Sequence, residues 1–126
     1  MGFRTDRQRV QGLGTAREGT GHWWRQRVTA VALVPLTLFF LFTFARNLGA
    51  DFETVRATYA SPFNAVMAIL FILTACIHLQ LGLQVVIEDY VHGHATRTAA
   101  LLANILLTWA LALTGVFAVA RIAFSA

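Results

Sequence analysis

The sequence predicts an all-α integral membrane protein with three transmembrane helices, and three observations carry that prediction. Of its 126 residues, 57% are hydrophobic and only 13% are charged, with a mean hydropathy of +0.62. That balance leaves too little polar surface for a soluble domain of this size. The charges are also placed so that three long runs carry none: Val28 to Ala45, Ala57 to Ile87 and Thr98 to Ala120. Each can cross a bilayer, because about 20 mainly apolar residues rising about 1.5 Å each span a hydrocarbon core of about 30 Å.

Taken in order, residues 1–24 form an N-terminal arm ahead of a membrane domain at 25–126, whose spans lie near 26–48, 61–91 and 97–123. Gly2, Gly12, Gly14, Gly19 and Gly21 stand among polar residues in the arm, a pattern of irregular chain. Trp23 and Trp24 end it beside Arg25 and Arg27, where indole and guanidinium suit the headgroup layer; contact with a ligand is the other reading of the Trp pair. The second run is longer than a crossing needs and contains Pro62, so its helix starts near Ser61 or Pro62, where proline fits a first turn. The third run needs no adjustment.

All ten basic residues are arginines, giving a net charge of +4, and six of them (Arg4, Arg7, Arg9, Arg17, Arg25, Arg27) precede residue 28. The other four are scattered between the uncharged runs, so no basic face forms and nucleic acid is excluded as a partner. A signal peptide would have a shorter basic region, a shorter apolar run and a small-residue cleavage site. N-myristoylation is disfavoured because Asp6 stands where Ser or Thr is required. Cys76 is the only cysteine, so no intrachain disulfide forms. Positive flanks resist translocation, which puts the arm in the cytoplasm or the equivalent matrix side. The segment Arg46 to Arg56 then lies outside, Glu88 to Arg97 inside and the C-terminus outside.

Few polar groups fall at membrane depth: His78, Gln80 and Gln84 in the second span, and Asn104 with several threonines in the third. His78 alone among them is ionisable. It precedes Glu88 by about 15 Å of helix, near the bilayer midplane, where an ionisable side chain marks a functional site. A neutral histidine hydrogen-bonded to a neighbouring helix is the competing reading. Gly82 lies one turn further on the same face, with Leu81, Val85 and Val86 as apolar walls. That arrangement suits a flat macrocycle with neutral imidazole on its iron, although Gly82 also suits a close helix contact. No second axial ligand lies at the same depth, since His22, His92 and His94 flank the spans and Met67 is on the same helix. A haem here needs a second subunit.

Glu88, Asp89 and Tyr90 close the second span. Asp89 returns to within about 20° of the His78 face, and Tyr90 is turned about 120° and displaced about 18 Å. A phenol there serves the aromatic belt or, beside a carboxylate, donates to a quinone carbonyl. His92 and His94 are too few for a metal site.

The stretch from Ile77 to Val91, with His78-x-x-x-Gly82 followed by Asp89-Tyr90, resembles the second-helix signature of the D-type small cytochrome b membrane-anchor subunit of succinate dehydrogenase. His22-Trp23-Trp24-Arg25-Gln26-Arg27-Val28-Thr29-Ala30 is similar to that family's entry into its first helix, closest to the alphaproteobacterial and mitochondrial-like branch. The resemblance covers nearly the whole chain after about residue 15. It implies a four-subunit enzyme in which a flavoprotein oxidises succinate, an iron-sulfur subunit carries the electrons, and two three-helix anchors pack together to bind haem b and ubiquinone. His78 would be this subunit's axial haem ligand, the other coming from the C-type anchor. Tyr90 would hydrogen-bond the quinone carbonyl with Asp89 beside it. Arg27 would lie near the haem propionates and quinone pocket, or else contact lipid headgroups. The chain would then have no succinate-oxidising site of its own and would reside in the bacterial inner membrane, or the mitochondrial inner membrane in a eukaryote. The alternatives are an anchor of quinol:fumarate reductase, and a cofactor-free membrane scaffold or assembly protein in which His78 is packing glue.

Overall fold

A computed structural model describes residues 5–11 and 19–125. Gly2, Gly12, Gly14, Arg4, Arg17 and the side chain of Arg9 lie outside the described residues. Among the described residues the chain is entirely helical: α1 (Asp6–Gln11), α2 (Gly19–Arg46), α3 (Phe52–Ala60), α4 (Pro62–Tyr90) and α5 (His94–Phe124). Three of these, α2, α4 and α5, are long and apolar enough to cross a membrane. α4 starts on Pro62, which has no N–H to leave unpaired in a first turn. α2 begins at Gly19, so the last residues of the arm are already helical. Pro35 inside α2 removes one backbone donor, which membrane helices tolerate.

α4 is the shared helix, packing against both α2 and α5. α2 runs antiparallel to it. At one end Phe40 stacks on Phe71 with ring centroids 4.6 Å apart, and Phe39 meets Phe63 edge-on at 5.5 Å. The α4 and α5 contact is built from small and polar residues. Asn104, Thr108 and Ala112, spaced four apart on one face of α5, are buried, and Asn104 Nδ2 donates to the Gln80 carbonyl at 2.9 Å. Without water to expel, membrane helices associate through close packing and interhelical hydrogen bonds, and small residues permit the approach. Among the described residues no large side chain is fully buried, and Phe42, Leu106 and Phe117 are among the many that face outward. Such a surface is stable only in lipid or against other apolar helices.

Gly115 is a crowded point of this contact. A Cβ there would lie 3.0 Å from Ile72 Cγ2 and 3.3 Å from its Cδ1. Gly115→Leu is therefore expected to separate α4 from α5 at a cost of about 1–3 kcal/mol, read as unfolding at a lower SDS fraction in mixed micelles. Gly115→Ala, which asks Ile72 to yield only slightly, should lie between. A leucine variant as resistant as the parent would show that α4 and α5 do not cross here.

Between α2 and α4 the chain turns through Gly49, whose φ of 76° is open to glycine and strained for other residues. α3 then forms because Asp51 caps it, accepting from the Thr54 amide at 3.0 Å. The Thr54 hydroxyl and amide hold the Asp51 carboxyl below its ordinary value of 3.8. The cap is accordingly in place above that value and weakens as pH falls through the lowered one. Arg56 pairs with Glu53 at 3.8 Å and donates to the Ser125 carbonyl, tying α3 to the end of α5.

Candidate functional site

His78 sits twelve residues before the end of α4, half-buried, with its ring turned toward α2. Its Nδ1 lies 3.0 Å from Thr29 Oγ1 and its Nε2 lies 3.4 Å from Gln26 Nε2. One tautomer of the ring suits the amide orientation of this structure. An amide nitrogen only donates, so a neutral ring facing Gln26 Nε2 carries its lone pair on Nε2 and its proton on Nδ1. Thr29 Oγ1 then accepts from Nδ1–H. Its own proton goes to the carbonyl of Arg25 or Gln26, at 2.9 and 3.1 Å. Turning the Gln26 amide over would suit the other tautomer and give its buried Oε1 a partner.

Two further features surround the ring. Gln26 Oε1 is buried and has no hydrogen-bond partner among the described residues. At Gly82 an added Cβ would meet nothing nearer than Gln26 Nε2 at 3.7 Å. Helix packing does not force glycine here, because 3.7 Å is ordinary contact; only the movable end of Gln26 covers the position.

Beyond this pair, toward the ends of both helices, lies an open cleft of about 760 Å³ lined by Gly19, Gly21, His22, Trp24, Arg25, Gln84 and Glu88. His22 Nε2 is buried and unpartnered, while Gln84 donates to Glu88 at 2.8 Å. The remaining residues singled out by sequence stand apart. Asp89 and Tyr90 are exposed in the last turn of α4, the tyrosine by 77%, and neither lines the cleft. Arg27 is exposed on the outer face of α2, its guanidinium 5.5 Å from the centre of the Trp23 ring. It borders a shallow apolar groove of about 430 Å³ with Trp24, Val28, Val31 and Ala32. Within this chain, then, His78, Arg27 and Tyr90 are not gathered into one pocket. Arg25, rather than Arg27, faces the α4 side.

Gln26, Thr29 and His22 are the site residues that sequence reasoning missed. Their signal was present: His22, Gln26 and Thr29 are spaced four and three apart, one polar stripe at the start of an otherwise apolar helix. Among the described residues no three His, Cys, Asp or Glu side chains converge on a metal, and His78 offers a single nitrogen.

Fold and site together define a class: a three-span, multi-pass membrane protein with one deep histidine held by its first span and an apolar exterior. The chain belongs to the succinate dehydrogenase/fumarate reductase transmembrane subunit family, which it matches over residues 1–118. It is 37% identical to the succinate dehydrogenase hydrophobic membrane anchor subunit of Paracoccus denitrificans, across 100% of this chain and 97% of that one. It is 32% identical to the corresponding subunit of Rickettsia bellii, across 80% and 81% of the two chains. Its identity to the succinate dehydrogenase membrane anchor subunit of Reclinomonas americana is 36%, across 68% and 73%. With its three spans, it is a multi-pass protein of the inner membrane.

Proposed function

We propose that this chain is the small membrane anchor of a succinate:ubiquinone oxidoreductase. In this reading His78 would help to hold haem b, and the chain would form part of the quinone-reduction site. It works with a C-type anchor, an iron-sulfur subunit and a flavoprotein, and residues 1–24 lie on the side that faces the soluble subunits. The observation that carries the haem part is His78 itself, whose Nδ1 is engaged by Thr29 while Nε2 meets only a long contact from Gln26. A haem-ligating histidine has this arrangement, with one nitrogen anchored and the other offering a lone pair. The fit extends to Gly82, where only Gln26 stands over the backbone, and to the unpartnered Gln26 Oε1, which loses no hydrogen bond if the amide swings away.

When bound, the haem supplies a one-electron carrier between the iron-sulfur subunit and the quinone. The residues of this chain have their own tasks. His78 Nε2 would hold the haem iron, with Nδ1–H anchoring the ring on Thr29. Tyr90, its phenol without a partner among the described residues, donates its O–H to a quinone carbonyl, and Asp89 beside it holds a water that brings protons to the same edge. Arg27 presents parallel N–H groups to carboxylates such as propionates in a pocket completed by the C-type anchor. The exposure of Tyr90, Asp89 and Arg27 supports a site finished by partner subunits rather than one closed within this chain.

The test is the purified complex, co-expressed with its partner anchor and soluble subunits. It is expected to have a reduced b-type absorption band, with haem stoichiometric to flavin. A fully assembled but colourless complex would overturn the haem assignment. It would favour the scaffold reading, for which the bonds of His78 to α2 are themselves an argument, since histidine can hold two helices together. Whether the complex runs toward fumarate or succinate is set by cofactor and quinone potentials.

A further inference from the structure

We infer that Thr29 is the positioning residue that holds His78 in its iron-binding tautomer, in competition with Gln26. The inference rests on the haem reading and deepens it. In an apolar span a neutral imidazole has few places to put its one proton, and here there are two candidate acceptors, one at each nitrogen. Thr29 Oγ1 stands 3.0 Å from Nδ1. The amide of Gln26 stands 3.4 Å from Nε2, and its oxygen is buried and unpaired. If the proton sits on Nδ1, Thr29 accepts it and Nε2 keeps its lone pair. If it sits on Nε2, the Gln26 amide rotates so that Oε1 accepts it, and the nitrogen that should meet iron is blocked.

Thr29 can win because its own hydroxyl proton is committed elsewhere. The Arg25 and Gln26 carbonyls lie at 2.9 and 3.1 Å, as expected for a helical threonine bonding back to the preceding turn. That bond orients an oxygen lone pair toward α4. Partners of this kind fix ring orientation and raise ligand basicity, and their loss weakens metal binding by about 10- to 100-fold. Thr29 touches neither substrate nor iron; it acts through His78.

The experiment uses the whole complex isolated from membranes, with haem measured per flavin, the reduced b-band recorded and the haem midpoint potential titrated. Thr29→Val keeps the branched shape and removes the acceptor. It is expected to shift the potential and the band and to lower haem retention by about 10-fold or more, while Thr29→Ser restores both. Adding Gln26→Leu to Thr29→Val removes the competing acceptor and is expected to recover part of the retention. Thr29→Ala serves the same purpose should the valine variant fail to assemble. An assembled valine or alanine variant with parental haem content, band and potential would overturn the inference and leave the haem reading standing. A Thr29→Ser complex that behaves like the variants lacking a hydroxyl would overturn it equally. A parent complex that assembles without haem overturns both.

Discussion

His78→Ala is expected to abolish the low-spin b-type band of the assembled complex, whereas succinate oxidation by a soluble artificial acceptor continues at the parental rate. Losing a partner one bond removed from a metal costs about 10- to 100-fold in affinity, so losing the ligand itself should exceed that range. Among the described residues no other histidine nitrogen is placed to substitute. His22 lines the cleft near the start of α2, and His92 and His94 lie at or beyond the turn between α4 and α5. The packing cost is small by comparison. His78 is only half-buried, and its two contacts to α2 are side-chain bonds of the kind worth roughly 0.6 kcal/mol, at most about 1.7, in membrane bundles. Haem loss and misassembly are separated by counting subunits per flavin. An unchanged band at unchanged stoichiometry would remove His78 from the iron.

Tyr90→Phe should lower quinone reduction by about 100-fold, the lower end of what a positioned proton donor contributes, with the artificial-acceptor activity intact. The change deletes one oxygen from a side chain that is 77% exposed in this chain. Surface substitutions of this size usually shift stability by no more than about 0.5 kcal/mol. The two assays therefore read different things: succinate oxidation reports on the soluble subunits, and quinone reduction on the membrane edge. Equal loss in both would make Tyr90 a structural residue. Asp89→Asn tests the neighbouring acid in the same pair of assays and is expected to slow only quinone reduction, because a neutral amide no longer orients the proton-bearing water.

The spans were legible because crossing a bilayer is a one-dimensional requirement. A charge-free run has to be long enough, and the three runs supply the apolar length of α2, α4 and α5. The start of α4 at Pro62 was equally local, a consequence of a ring that cannot donate. The place of His78 along α4 followed from counting residues back from Glu88. α3 was not read as a helix: its nine residues follow a short loop, and its existence depends on the Asp51 cap and on the tie from Arg56 to the end of α5. Nor could Gln26 and Thr29 be assigned to His78. They are 52 and 49 residues away in sequence, and only the antiparallel register of α2 on α4 brings them to the ring.

The sequence by itself determined how many times this chain crosses the membrane, where along the second span its histidine falls and which end carries the arginines. It also carried the stretch from His78 to Tyr90 that resembles the family's second helix. Tertiary structure alone decided what His78 faces, that Arg25 rather than Arg27 turns toward α4, and that an added side chain would be crowded at Gly115 rather than at Gly82. The physical reason is that helix length and depth are local properties of backbone rise and side-chain polarity. Rotation about the helix axis is not: a helix apolar on every side has no polar face to aim it. Its azimuth is set by which small residues let a neighbour approach and which polar groups find partners across the gap.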